Sequence, residues 1–384
     1  MSIHSPSPSP EAGETLGDRR SSGVEASATH VIDIPDGAIV TVTPNPCMDR
    51  TATISTSLRR GGVNRIADVA DIPAGKGINV AMATFRANQP TVAIAPTYSA
   101  DPYASLVHDT GLTFSPTPAS SPVRINLTIA EPDGTTTKFN EPGTPLTADQ
   151  SEAFTNAIRG AATKASWIVL AGSLPPGLPP SWYADTITAI RDAAGDHNVN
   201  VAVDTSDTPL QTLRAHMLGD PSTAPDLLKP NGYEIGQLLG IDGRAIEVEA
   251  SRGNISPAAD AAAHLVEHGV SYVLLTLGAS GAVLATKNGI WYATPPPITP
   301  VNTVGAGDSS LAGFIIGLQS GNDGVGNSTT TDNHAEKTAL QYAVAYGSAA
   351  TSLPGTTIPS PSETHPESVI ITAVADAAAL KGLP

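Results

Sequence analysis

Short apolar runs alternate with longer helical patterns along this chain, and that alternation narrows its fold more than any other feature. Residues 167–171 (WIVLA), 199–203 (VNVAV), 227–228 (LL) and 272–276 (YVLLT) read as buried strands. They are too short for helices and rich in branched aliphatic side chains. Between and around them, 181–194 and 257–268 carry helical patterns. Strands joined by helices in this way make βαβ units, so the chain is α/β, with a mostly parallel sheet covered on both faces. One region departs from the pattern. Residues 123–130 (VRINLTIA) and 135–140 (TTTKFN) alternate in polarity around Pro132-Asp133-Gly134, which is a hairpin signal. It predicts a small separate sheet that acts as a lid, with 49–70 as the partner segment.

Order is expected to begin at 38–43 (AIVTVT). Residues 1–36 are rich in Ser, Pro, Gly and acids and predict a disordered N-terminal extension, which leaves 37–384 as the functional domain. A second low-complexity stretch, 320–332, predicts an exposed loop between two helices. No run approaches the roughly 18 apolar residues that span a bilayer. The leader lacks the apolar segment of a secretory signal. The single cysteine, Cys47, excludes an internal disulfide framework and a multi-cysteine zinc site. A cytoplasmic protein is expected. Acids outnumber bases 36 to 20, for a net charge of −16. That argues against nucleic acid and against an anionic membrane surface as partners.

The strongest chemical motif is 302–310 (NTVGAGDSS), followed by an apolar helical pattern through Leu318. Gly305 and Gly307 allow a tight turn with converging N–H groups, and the helix start adds its free amides and positive dipole end. The product is an anion site with Asp308 at its mouth. A carboxylate beside a phosphate pocket is explained by proton abstraction from the attacking hydroxyl; an ordinary N-cap explains it equally well. The segment 74–80 (AGKGINV) puts glycines before a helix and offers Asn79 as an amide ligand, or is a plain loop-to-helix turn. It is not a Walker loop, since no Gly-x-x-x-x-Gly-Lys-Ser/Thr occurs in the chain.

Two further motifs follow strands, where parallel sheets bind ligands. In 171–177 (AGSLPPG), Ser173 offers a donor to a sugar or phosphate, although a rigid Pro-Gly turn is the simpler account. In 228–234 (LKPNGYE), Lys229, Asn231 and Glu234 suit nucleotide phosphates with magnesium held through waters, and equally a capped helix start. The run His264-Leu-Val-Glu-His268 fits a zinc-protease pattern but sits at the end of a helix that covers the sheet. No base is identifiable for Cys47 as a nucleophile.

Taken in order, these motifs resemble the ribokinase-like carbohydrate kinases of the phosphofructokinase B branch. The likeness runs from about residue 38 to the C-terminus and rests on TPNPCMDRT (43–51), AGKGINVA (74–81), VRINLT (123–128), TTKFNEPG (136–143), AGSLPPG (171–177), LLKPNGYE (227–234), LTLGASGA (275–282) and TVGAGDSSLAG (303–313). Within the branch, TPNPCMDRT, GGVNR and GKGINVA are most similar to the group acting on fructose 1-phosphate. The resemblance implies a three-layer αβα core with a β-sheet lid formed by about 48–72 and 112–141. It implies an ATP-dependent kinase that converts D-fructose 1-phosphate to fructose 1,6-bisphosphate. Fructose 6-phosphate and tagatose 6-phosphate are the alternative acceptors, and a non-catalytic sugar-phosphate sensor is the reading from another class.

By the same resemblance Asp308 is the base, and Gly305, Ala306 and Gly307 supply the anion hole. Asp49, Gly75, Lys76, Asn79, Arg124, Lys138 and Ser173 bind the sugar phosphate. Lys229, Asn231, Glu234, Thr276 and Gly278 bind ATP, and Mg2+ sits near Asn231 and Glu234 through water. A homodimer paired through the lid is implied as well. Asn302 departs from the acid that ribokinase-type members carry near a monovalent-cation site, which bears on potassium dependence.

Overall fold

The computed structural model describes residues 33–323, 333–355 and 357–374. The extension expected over 1–36 lies outside them except at 33–36, as does 324–332 of the expected loop. Among the described residues the strands are β1 (Ile39–Val42), β2 (Cys47–Ile54), β3 (Ile66–Ala74), β4 (Thr91–Thr97), β5 (Thr113–Pro118), β6 (Arg124–Ala130), β7 (Thr136–Asn140), β8 (Trp167–Ala171), β9 (Asn200–Asp204), β10 (Leu227–Leu228), β11 (Tyr272–Thr276), β12 (Ala282–Thr286), β13 (Gly289–Thr294) and β14 (Ile370–Ala373). The helices are α1 (Lys76–Arg86), α2 (Pro102–Asp109), α3 (Ala148–Ala161), α4 (Trp182–Ala194), α5 (Asp207–Gly219), α6 (Gly232–Leu239), α7 (Gly243–Ser251), α8 (Ser256–Glu267), α9 (Ala306–Asp323) and α10 (His334–Ser352).

Ten strands form one sheet in the order β14-β13-β12-β11-β10-β9-β8-β1-β4-β5. Pairing is parallel from β11 through β10, β9, β8, β1 and β4 to β5, and antiparallel from β11 out to β14. The apolar runs are continuous because helices cover both faces, so neither set of alternating side chains meets water. On β8, Ile168 and Leu170 enter one core with α3, α4 and α8, whereas Trp167, Val169 and Ala171 enter a second core with α9 and α10. This is the expected three-layer αβα arrangement. The antiparallel margin β12–β14 lies outside the expected βαβ alternation.

In the first core, Trp182 lies flat on Phe154, with ring centroids 5.6 Å apart and planes 6° from parallel. Trp182→Ala should cost about 3–5 kcal/mol, because removing the indole leaves a void beside the Phe154 ring that the packed core only partly refills. Urea denaturation should then show a lower midpoint with an unchanged slope.

The small sheet has the order β3-β2-β6-β7. The Asp133-Gly134 turn joins β6 to β7 in an antiparallel pair, as the alternation predicts. β2 then runs parallel to β6 and antiparallel to β3. The expected lid boundary needs one correction. β5 pairs with β4 at the margin of the large sheet, so 113–118 is not lid. Its Thr-Phe-Ser-Pro run reads as irregular, and long-range pairing decides its place. A second correction concerns the loop expected from 320: α9 continues to Asp323.

α9 is held against α10 at close range. A Cβ at Gly313 would lie 2.5 Å from the Tyr342 carbonyl oxygen, and one at Gly317 would lie 2.8 Å from that of Thr338. The absence of side chains there is what lets the two backbones approach. No helix among the described residues is long and apolar enough to cross a membrane.

Candidate active site

A cleft of about 990 Å³ opens beyond the C-terminal ends of the parallel strands and is lined on its other side by the small sheet. Asp308, in the first turn of α9, lines the cleft and is buried. Its Oδ2 accepts a 2.7 Å hydrogen bond from Asn79 Nδ2 on α1. Burial pushes the Asp308 carboxyl up to about 6, and the neighbouring Asp204 charge adds to this; Lys76, the Asn79 hydrogen bond and Lys229 pull the other way. A carboxyl tuned so near neutrality can take a proton at working pH and release it afterwards.

Gly305, at φ +78°, makes the turn that starts α9, a conformation costly for any side chain with a Cβ. The Ala306 amide donates to the Thr303 carbonyl at 3.3 Å, and the next amides of α9 have no intrahelical acceptor and lie, with the positive dipole end, at residues that line the cleft. A Cβ at Gly307 would lie 3.2 Å from Lys229 Nζ, so this ammonium group rests against the amide turn. An anion bound there would meet backbone N–H groups and a cation together.

Lys76 Nζ bonds Asp204 Oδ1 at 2.9 Å, and Lys229 Nζ lies 3.1 Å from Asp204 Oδ2. Asp204 ends β9 and is 1% exposed. Burial works against its ionised form, but the Lys229 and Lys76 charges outweigh it and hold the carboxyl below its ordinary range.

Asn231 and Glu234 form a capping box at the start of α6: Asn231 Oδ1 accepts from the Glu234 amide at 2.8 Å, and Glu234 Oε2 accepts from the Asn231 amide at 2.9 Å. Both readings left open for this motif are therefore compatible, since the capped residues also line the cleft. Burial raises the Glu234 carboxyl and Asp204 adds to the shift, against Lys229, Lys76 and the Asn231 amide. Thr276 ends β11 and bridges to Asn231, and Gly278 follows at φ +57°. Beyond them Pro295, Pro296, Ile298 and Val344 give this end of the cleft an apolar wall.

At the other end, Asp49 of β2 accepts from Asn126 Nδ2 of β6 at 3.1 Å and from the Cys47 thiol at 3.4 Å. Burial, then the Asp49 charge, keep that thiol protonated, so Cys47 acts as a donor and not as a nucleophile. Arg124 starts β6 and donates to the carbonyls of Glu141 (3.1 Å) and Asn45 (3.3 Å), while its buried Nε has no partner. Gly75, at φ +131°, caps α1; a Cβ there would come within 2.6 Å of the Thr43 side chain.

The cleft thus gathers Asp49, Gly75, Lys76, Asn79, Arg124, Lys229, Asn231, Glu234, Thr276, Gly278, Gly305, Ala306, Gly307 and Asp308. Two residues assigned by resemblance stand apart. Lys138 on β7 is exposed and outside the cleft lining. Ser173 is also exposed, and its hydroxyl accepts from Asn45 Nδ2 at 3.1 Å. Conversely, Asp204 and Asn126 line the cleft and were not singled out. For Asp204 the available signal was an acid ending an otherwise apolar strand (NVAVD).

Residues 43–363 match the family described as pfkB family carbohydrate kinase. The chain is 29% identical over 282 residues to 1-phosphofructokinase of Bacillus subtilis (strain 168), covering 73% of this chain and 85% of that protein. It is 30% identical over 292 residues to ATP-dependent 6-phosphofructokinase isozyme 2 of Mycobacterium tuberculosis, covering 74% and 78%. The fold is similar to that of phosphofructokinase-2 from Escherichia coli in complex with potassium. That comparison gives a TM-score of 0.70 and 26% identity, covering 85% of this chain and 96% of that one. The expected ribokinase-like architecture is therefore the observed one, and the chain belongs to the pfkB family of carbohydrate kinases.

Proposed function

We propose that this protein transfers the γ-phosphoryl group of ATP to the 6-hydroxyl of D-fructose 1-phosphate, giving fructose 1,6-bisphosphate and ADP, and that the domain of residues 37–384 carries the activity. The observation that supports this most directly is the pairing of Asp308 with the amide turn of 305–307. Asp308 takes the hydroxyl proton as oxygen attacks phosphorus. The amides of Gly305, Ala306 and Gly307, with Lys229 against them, hold the charge spread over the phosphoryl oxygens. Asn79 orients the carboxylate. Asp49 and Gly75 bind sugar hydroxyls, and Arg124 binds the sugar's own phosphate. Thr276, Gly278 and the apolar wall receive the nucleotide.

The cap uses only Oε2 of the Glu234 carboxylate, which supports a magnesium ion held near Asn231 and Glu234 through waters and taking phosphate oxygens. Such an ion neutralises phosphate charge. Lys138 and Ser173 are left out of the first contacts. Ile66, Val69, Ile72 and Phe139 of the small sheet are exposed, which supports pairing of two copies through the lid.

The Mycobacterium tuberculosis relative favours fructose 6-phosphate as a second reading. Release of ADP with fructose 1-phosphate, fructose 6-phosphate and tagatose 6-phosphate decides between them. The expected result is a kcat/KM for fructose 1-phosphate about 10-fold or more above the others. Binding of all three without ADP release would instead support a sensor.

A further inference from the structure

We propose that Asp204 is a positioning residue for this transfer: one buried carboxylate clamps Lys76 of the sugar motif and Lys229 of the nucleotide motif side by side and keeps the base in a balanced field. The inference rests on the reading of Asp308 as the base. Each Asp204 oxygen faces a different ammonium group, at 2.9 and 3.1 Å. The two lysines come from distant parts of the chain, the first residue of α1 and the residue after β10. Lys229 is the cation that rests against Gly307, and Lys76 lies three residues before the Asn79 that orients Asp308. A single carboxylate thus fixes the side chains flanking both halves of the reaction centre.

A purely structural account of this triad is weak. Burying an ion cluster generally costs more than a well-packed apolar replacement, so stability alone gives little reason to keep one. This cluster also lines the cleft and is not shut inside the core.

The groups facing it are Lys76 of α1, Lys229 after β10, Glu234 of α6, Asp308 of α9 and, from α4, Tyr183. Burial keeps the Tyr183 phenol neutral, and its hydroxyl donates to the Gly172 carbonyl at 2.6 Å. Burial opposes the charge on Lys76, but Asp204, Asp308 and Glu234 outweigh it and hold it above the ordinary lysine range. Asp204 therefore acts on Asp308 in two opposed ways. Its own charge makes Asp308 more basic, and the lysines it retains make it less so.

The test is Asp204→Asn in the full chain, with kcat measured from about pH 5 to 9. The neutral amide removes a like charge from Asp308 and deletes neither cation, so the base becomes more acidic. The acid limb of kcat should move down by about one pH unit, and its plateau should fall about 10²-fold as the lysines lose their alignment. Substrate phosphates titrate alike in both enzymes and cancel in the comparison. A lower melting temperature with an unmoved acid limb would overturn the proposal.

If Asp204→Asn does not fold, Lys76→Met provides the test: removing a cation leaves Asp204 less compensated, and the limb should move up. An unmoved limb there would overturn the proposal too. The base reading is judged separately. An acid limb that persists in Asp308→Asn would reject Asp308 as the base, whatever Asp204→Asn does.

Discussion

Asp308→Asn is expected to lower kcat by about 10²–10⁴ while leaving the KM for ATP within a few-fold of its normal value. Asparagine keeps the shape and the contact with Asn79 but cannot accept a proton. The binding groups on either side of it are untouched, so the loss should fall on the chemical step. Below about pH 6 the normal enzyme should lose roughly tenfold in rate per pH unit as Asp308 is protonated, and the variant should lack this acid limb. The sign for stability runs the other way. A carboxyl raised in the folded state opposes folding once pH exceeds its ordinary value, so the amide should leave the melting temperature at pH 8 unchanged or higher. Steady-state kinetics and a thermal melt at that pH check both statements. A turnover within threefold of normal would reject the assigned role.

Lys229→Met is the second large effect, and it should look different. It removes the cation that rests against the amide turn, where charge develops on the migrating group. A loss of about 10²–10³ in kcat is expected, together with a raised KM for ATP, because the same ammonium attracts the phosphates before and during transfer. The fold should survive, since Asp204 retains Lys76 at 2.9 Å. An unchanged KM would place the Lys229 contribution entirely in the transition state; an unchanged kcat would remove it from the site.

Much of this was legible in the linear order of residues. Strands β8, β9, β10 and β11 carry apolar runs because their positions are buried on both faces, and burial leaves a direct trace in composition. The hairpin β6–β7 was legible because Asp-Gly turns have few alternatives. β5 was not, since Thr113–Pro118 has two prolines and mixed exposure and is a strand only through its partner β4. In the antiparallel margin, β12 and β13 follow β11 as a local meander that the βαβ pattern does not anticipate, and β14 is largely exposed and joins only through its distant partner β13.

At the site, glycine turns announce themselves by backbone need, so residues 305–307 and Gly75 could be found. Asp204 could not be weighted, because its meaning lies in Lys76 and Lys229, which are distant along the chain. Lys138 shows the reverse. The resemblance gives this basic lid side chain to the sugar phosphate, and its place on β7 leaves it exposed and outside the cleft lining.

The tight seating of α9 on α10 has a consequence for engineering. The base and the amide turn ride on a rod that tolerates no repacking at Gly313 or Gly317, whereas two of the residues proposed to grip the acceptor, Asp49 and Arg124, ride on the separate four-stranded sheet. Acceptor choice and reactivity are thereby housed in separable parts. A library confined to β2 and β6 can be screened for new acceptors with the reaction machinery untouched.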